Sequence, residues 1–314
     1  MAGAERVTGS LASALRAELD DRGEDRLAVV VLALCVAAVA VAEVLIAEGQ
    51  VLAGQIVDGA LLLVLLNFRG RRGEQYSWAR ERGVPAAMLA LALVPLSRVL
   101  GAGLPIAHFS QALNELIVLL PIGFAAIRLA PMVGVSVRRL ARARLDRTEA
   151  GVGVVGAVLG LVVYLLGAPS LLPAGAGAGR VALAAIAVTA AAVVEELVFR
   201  GLVQTTLQRV AGRIGLVAAI ALFACTYLSA GSASLVLVFA LAGVVFAHVV
   251  ARTGVLGGAI TGHWALSIGA FLVWPAVFGR THSAWLDSPL TAAGLALLVV
   301  AATLTAIRRP PVKS

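Results

Sequence analysis

The chain has 314 residues, 61% of them hydrophobic and only 13% charged, with a formal net charge of +8 and a mean hydropathy of +0.99. That apolar content exceeds what a soluble core needs and reads as a polytopic membrane protein. The positive charge does not point to nucleic acid, because the arginines fall mostly in short loops between apolar segments, which is a topology signal.

Residues 1–26 are mixed in charge and read as a cytoplasmic leader with no cleavable signal peptide. Apolar segments follow at roughly 27–46, 50–68, 84–101, 110–131, 151–172, 180–208, 213–230, 234–251, 255–276 and 288–307. Each approaches the ~20 residues that a helical crossing requires. The fold class expected is therefore all-α, a polytopic transmembrane helix bundle of about ten spans. Arg69, Arg71, Arg72, Arg80 and Arg82 follow span two. Arg138, Arg139, Arg142, Arg144 and Arg147 follow span four, Arg209 and Arg213 span six, and Arg252 span eight. Arg308, Arg309 and Lys313 end the chain. With ten spans all of these share the N-terminal side, which places both termini in the cytoplasm. Arg98, Arg180 and Arg280 are left on the opposite side.

The basic stretch 133–149 divides the chain. Residues 27–132 form an N-terminal four-span module, 150–280 a core that carries the polar residues, and 281–314 a last span with a cytoplasmic tail. Gly151, Gly153, Gly156 and Gly160 open span five and are expected to allow close helix packing. The run 174–180 reads as an external loop and lacks the Lys and Ser/Thr of a phosphate-binding loop. Cys35 and Cys225 lie in separate apolar segments and read as small core residues.

Span six holds three ionisable residues in its second half: Glu195, Glu196 and Arg200. A charge near a bilayer centre costs at least about 2.5–3.5 kcal/mol on insertion scales, so such groups need partners or a function. At 1.5 Å per residue, Glu195 and Glu196 lie roughly 17–18 Å from the cytoplasmic end of their helix. Tyr227 lies on the order of 21 Å deep in span seven, and His263 and Ser267 roughly 12 and 18 Å deep in span nine. These residues can share one depth band. Glu196 and Arg200, spaced i,i+4, are expected to neutralise each other. Glu195 points about 100° away and is a candidate base for activating water; a protonated, hydrogen-bonded core Glu is the structural alternative. His248 sits near the cytoplasmic end of span eight, too far to reach Glu195 without distortion. Glu43 and Asp58 read as interface or interhelical polar contacts, Asn114 and Glu115 as interfacial, His108 and His282 as solvated, and Trp264, Trp274 and Trp285 as belt or packing residues.

The run Glu195-Glu196-Leu197-Val198-Phe199-Arg200-Gly201 resembles the EExxxRG motif of the CPBP intramembrane proteases, also called the CAAX-protease and bacteriocin-processing (Abi) family. Arg252-Thr253-Gly254 followed by His263 resembles the approach to that family's last motif. The resemblance covers about residues 150–280. It departs from the pattern twice: Tyr227 closes the Phe223 to Tyr227 stretch where the family has a His, and Ser267 closes His263 to Ser267 where an Asn is usual. The resemblance implies an intramembrane endopeptidase that hydrolyses peptide bonds of membrane-associated proteins in a cavity open to the cytoplasm. Glu195 would be the base, Glu196 and Arg200 supports, His263 a metal or oxyanion ligand, and Ser267 its weaker neighbour. A zinc site wants three protein ligands; Glu195 and His263 are the metal candidates, Glu196 would complete the set, and then no separate base remains. Zinc or another divalent metal and a metal-free mechanism, with the Tyr227 hydroxyl donating to an oxyanion, are therefore equally open.

Two further readings stay in view. A catalytically inactive relative would bind a membrane partner through the same cavity, which the missing histidine favours. A proton-coupled transporter would relay through Asp58 and Glu195, and it ranks last because no inverted repeat is visible. The partners expected are a membrane-associated protein or peptide substrate and the lipid bilayer, with no nucleic acid; the oligomeric state is left open. High Ala, Gly and Arg with Lys313 as the one lysine suggest a GC-rich bacterial genome, hence a multi-pass protein of a bacterial plasma membrane, for which a prenylated substrate is not expected.

Overall fold

In lipid every backbone N–H and C=O must be satisfied within the chain, so long apolar runs fold as helices. The computed structural model describes residues 30–70, 83–103, 110–141, 147–167, 171–172, 175–230 and 233–278, together with 294, 297 and 301. Among these residues there are helices and turns and no strand. The expected leader, tail and tenth span, with His108, His282 and Trp285, lie essentially outside them.

The N-terminal half consists of α1 (Val30–Ala47), α2 (Val51–Gly70), α3 (Val84–Leu91), α4 (Leu93–Gly103) and α5 (Gln111–Leu129). A 3-10 turn at Ala130–Val133 and the short α6 (Val137–Leu140) then lead to α7 (Arg147–Leu165). The remainder is α8 (Ala178–Glu196), a π-helical segment at Leu197–Gln204, α9 (Thr205–Cys225), α10 (Ala233–Thr253), α11 (Gly257–Ile268), a second π segment at Gly269–Val273, and α12 (Trp274–Phe278).

By length and composition, six helices of the described residues can cross a membrane: Val30–Ala47, Val84–Ala102, Gln111–Val133, Ala178–Cys225, Ala233–Thr253 and Gly257–Phe278. Val51–Asn67 and Glu149–Leu165 are shorter apolar helices. The 48-residue stretch Ala178–Cys225 is not one rod. Gly212 adopts φ 55° and ψ −125°, which breaks the helix. The chain reverses there, and Gly215 abuts the Leu207 carbonyl. Phe223 returns to within 5.4 Å (ring centroids) of Phe199. Spans six and seven of the sequence reading thus form a hairpin.

Two further differences concern helix geometry. Span six was expected to run as one α-helix over 180–208, but it widens into a π turn immediately after Glu196. Thr205 donates its hydroxyl to the Arg200 carbonyl at 3.1 Å, and Thr206 donates to that of Leu202 at 2.8 Å. These bonds serve carbonyls where the helix changes pitch. Span seven ends at Cys225, so Tyr227 stands in the turn beyond the helix rather than within it.

The arginine-bearing turns gather at one end of the bundle. Arg209 donates to the carbonyls of Val133 at 2.8 Å and Gly134 at 2.9 Å. The amide of Leu256 donates to Leu140 at 2.8 Å. Between these turns and Glu195, all eight residues of the π segment Leu197–Gln204 are buried.

Helices α7 and α11 pack closely against each other. A Cβ on Gly156 would collide with the Gly262 carbonyl, and one on Gly160 with the Leu266 carbonyl. A Cβ on Gly153 would press on the Thr261 methyl group, whereas Gly151 faces open space. Glu149 is buried against Gly257 and Gly258, where its carboxylate meets the N-terminus of α11. The helix carrying His263 and Ser267 is therefore fixed by glycines of α7 and by one acidic side chain.

Candidate active site

Because α8 carries consecutive glutamates, they leave the helix in different directions. Glu196 is fully buried, while the Glu195 side chain is 28% exposed and faces a cavity. The turn after α9 brings Tyr227 over Glu195, and its hydroxyl donates to Glu195 Oε2 at 2.9 Å. The Tyr227 ring is held from both sides, stacked on Phe239 at 3.7 Å and edge-on to Phe223 at 5.3 Å.

His263 projects from α11 between the two glutamates. Its Nδ1 is 2.9 Å from Glu196 Oε1. A carboxylate in that position selects the tautomer with the proton on Nδ1 and orients the ring. Nε2 then points toward Glu195 Oε2, at 3.9 Å, beyond a direct hydrogen bond. Phe246 stacks on the imidazole at 5.9 Å. Arg200 backs the group: its Nε is 3.4 Å from Glu196 Oε2, and its guanidinium lies 3.8 Å over the Phe223 ring centroid. Both Nη atoms of Arg200 and Oε2 of Glu196 are buried without a hydrogen-bond partner among the described residues.

The cavity measures about 600 Å³, within the range typical of ligand pockets. Glu195, Tyr227, His263 and Ser267 all line it. The structure thus brings the six candidate site residues together: four on the cavity wall, with Glu196 and Arg200 behind them. His248, half-buried on α10, is not part of the lining.

Two expectations bear on this geometry. The cavity is expected to open to the cytoplasm, the side to which the arginine-rich loops are assigned. Its rim instead comes from Ile46, Val51, Ala102, Gln111 and Leu171, at helix ends remote from those turns. The buried π segment fills the arginine side; depth along a single helix carried no information about which half of the bundle is packed shut. The second expectation concerns Glu196, which had been a possible third metal ligand. It turns both oxygens toward His263 and Arg200, leaving Glu195 and His263 Nε2 as convergent donors. Among the described residues no group of three or more His, Cys, Asp or Glu could hold a metal ion. This donor set does not fit a zinc site, which takes three such protein ligands.

Sequence reasoning missed the part played by the N-terminal half. Arg98 had served only to assign topology, and Asn114 and Glu115 read as interfacial, yet all three line the cavity. Arg98 grips the buried Glu43 through Nε and Nη2, both at 2.7 Å. Its Nη2 also donates to the Thr226 carbonyl at 3.0 Å, one residue before Tyr227. Asp58 is buried as well. The available signal was the intramembrane charge itself, since Glu43, Asp58 and Arg98 each interrupt an apolar span.

Glu195, Glu196, Arg200 and His263, which carry the sequence resemblance, lie together in space. Residues 177–269 match the family model for type II CAAX prenyl endopeptidase Rce1-like proteins. The match is consistent with a CPBP-family intramembrane protease. The Rce1-like stretch contains all six candidate residues, whereas Glu43, Arg98 and Glu115 lie before it. No match was found among curated proteins or among solved structures.

Proposed function

We propose that this multi-pass membrane protein is an intramembrane endopeptidase that hydrolyses peptide bonds of membrane-associated polypeptides by a glutamate-activated water, without a metal. The observation that carries the reading is the cavity-facing Glu195 carboxylate, bonded to Tyr227 at 2.9 Å and 3.9 Å from His263 Nε2.

In this mechanism Glu195 takes a proton from water as the water oxygen bonds to the scissile carbonyl carbon. The carbonyl oxygen gains negative charge and is met by the Tyr227 hydroxyl, with His263 beside it. Collapse of the tetrahedral intermediate breaks the C–N bond, and the proton held by Glu195 passes to the departing amine. Glu196 keeps the imidazole oriented, and Arg200 balances the charge of Glu196. Ser267 is a further polar group on the wall. The same reading places the protein in a bacterial plasma membrane, with ten crossings and both termini cytoplasmic; the arginines clustered at one end of the bundle support that topology.

A second reading, an inactive relative that binds a membrane partner, is favoured by one contact: Tyr227 stands where the family has a histidine and occupies an oxygen of Glu195. Purified protein in detergent, a peptide library and a metal assay separate the two. Wild-type cleavage lost in Glu195→Ala supports hydrolysis. Cleavage by Tyr227→His alone supports the inactive relative, and undiminished cleavage by Glu195→Ala refutes the mechanism.

A further inference from the structure

The direction from which the site is served follows from two independent observations. The first is charge. The turns bearing Arg138, Arg139, Arg209 and Arg252 meet at one end of the bundle, joined by the bonds from Arg209 to Val133 and Gly134 and from Leu256 to Leu140. Short loops rich in arginine remain on the cytoplasmic side of a membrane. Of the three arginines assigned to the opposite face, Arg98 is already matched by Glu43.

The second observation is packing. On the arginine side of Glu195 the π segment is buried throughout, with Gly201 packed between Leu140, Leu197 and Leu256. The cavity extends the other way, past Ser97 and Arg98 to Ala102 on α4, Gln111 on α5 and Leu171. Gln111 and Ala102 are exposed at its rim.

We infer that the cavity is entered from the non-cytoplasmic face of the membrane, and that its substrates are polypeptide segments presented there, in exported or membrane-anchored proteins near the point where they leave the bilayer. The substrate class rests on the proposed hydrolase reading; the side of access does not.

Thiol labelling of the full-length protein tests the inference. In a Cys35→Ala, Cys225→Ala background, single cysteines are introduced as Gln111→Cys at the rim, Ser97→Cys on the cavity wall and Arg138→Cys among the arginines. A membrane-impermeant sulfonated maleimide is added to right-side-out and inside-out vesicles. The expected result is modification of Gln111→Cys and Ser97→Cys in right-side-out vesicles, with Arg138→Cys modified only in inside-out ones. Modification of the first two only in inside-out vesicles would overturn the inference. So would reaction of Gln111→Cys alone from the outer face, because the cavity would then be closed to that side. Labelling needs no turnover, so a protein that fails to cleave peptides still gives a clear answer on access.

Discussion

His263 Nδ1 lies 2.9 Å from Glu196 Oε1, inside the bundle and away from the cavity. The two neighbouring glutamates are therefore not equivalent. One faces the cavity, and the other holds the histidine. Glu196→Gln retains size but replaces the charged acceptor, leaving the imidazole without a fixed tautomer. The expected outcome in a peptide-cleavage assay is a fall in kcat of about 10²-fold with KM nearly unchanged. A change in KM alone would assign Glu196 to substrate binding.

Tyr227 offers a second test. Tyr227→Phe keeps the stacking on Phe239 but removes the hydroxyl that donates to Glu195. Loss of one oxyanion donor costs on the order of 10²-fold in kcat. Steady-state kinetics on Tyr227→Phe should show that loss, while its melting temperature in detergent stays close to wild type.

The approach of α7 to α11 makes a sharp prediction about glycines. Gly156→Ala drives a methyl group into the Gly262 carbonyl, one residue from His263. Overpacking of this kind costs about 1–3 kcal/mol, and the shift of α11 should also reduce cleavage. Gly151→Ala, facing open space on the same helix, should alter stability by no more than about 0.5 kcal/mol. Thermal unfolding of both variants in one detergent provides the comparison.

The Glu43–Arg98 pair ties the N-terminal half to the turn that carries Tyr227. Arg98→Met leaves the Glu43 carboxylate buried and uncompensated. Breaking a fully buried pair costs about 3–5 kcal/mol; Arg98 is 30% exposed, so a smaller loss is expected. Replacing both residues, as Glu43→Met with Arg98→Met, should restore stability but not activity, since the bond to Thr226 stays broken. Restoration of both would mean that the pair serves stability alone.

Much of this arrangement is legible in the sequence because an apolar helix makes each charge conspicuous. Glu195, Glu196 and Arg200 stand out against their span, and depth along the helix brings Tyr227, His263 and Ser267 to the same level. The hairpin is marked by Arg209 and Arg213 between two apolar runs. Other features depend on contacts that periodicity does not encode. The π turn after Glu196 arises where Thr205 and Thr206 bond back to carbonyls, and a continuous apolar run gives no sign of it. Arg98 looked like a topology marker because its partner, Glu43, lies 55 residues away. The direction of the cavity depends on which half of the bundle packs shut, a property of several helices together.

In the proposed mechanism Glu195 activates the attacking water. Its most direct test is cleavage of a peptide substrate in water enriched in oxygen-18, followed by mass spectrometry of the new C-terminus, with wild type and Glu195→Gln compared in single turnover. One oxygen-18 atom is expected in the wild-type product, with a cleavage rate lowered by about 10²–10⁴-fold in Glu195→Gln. Cleavage by Glu195→Gln at the wild-type rate would contradict the mechanism.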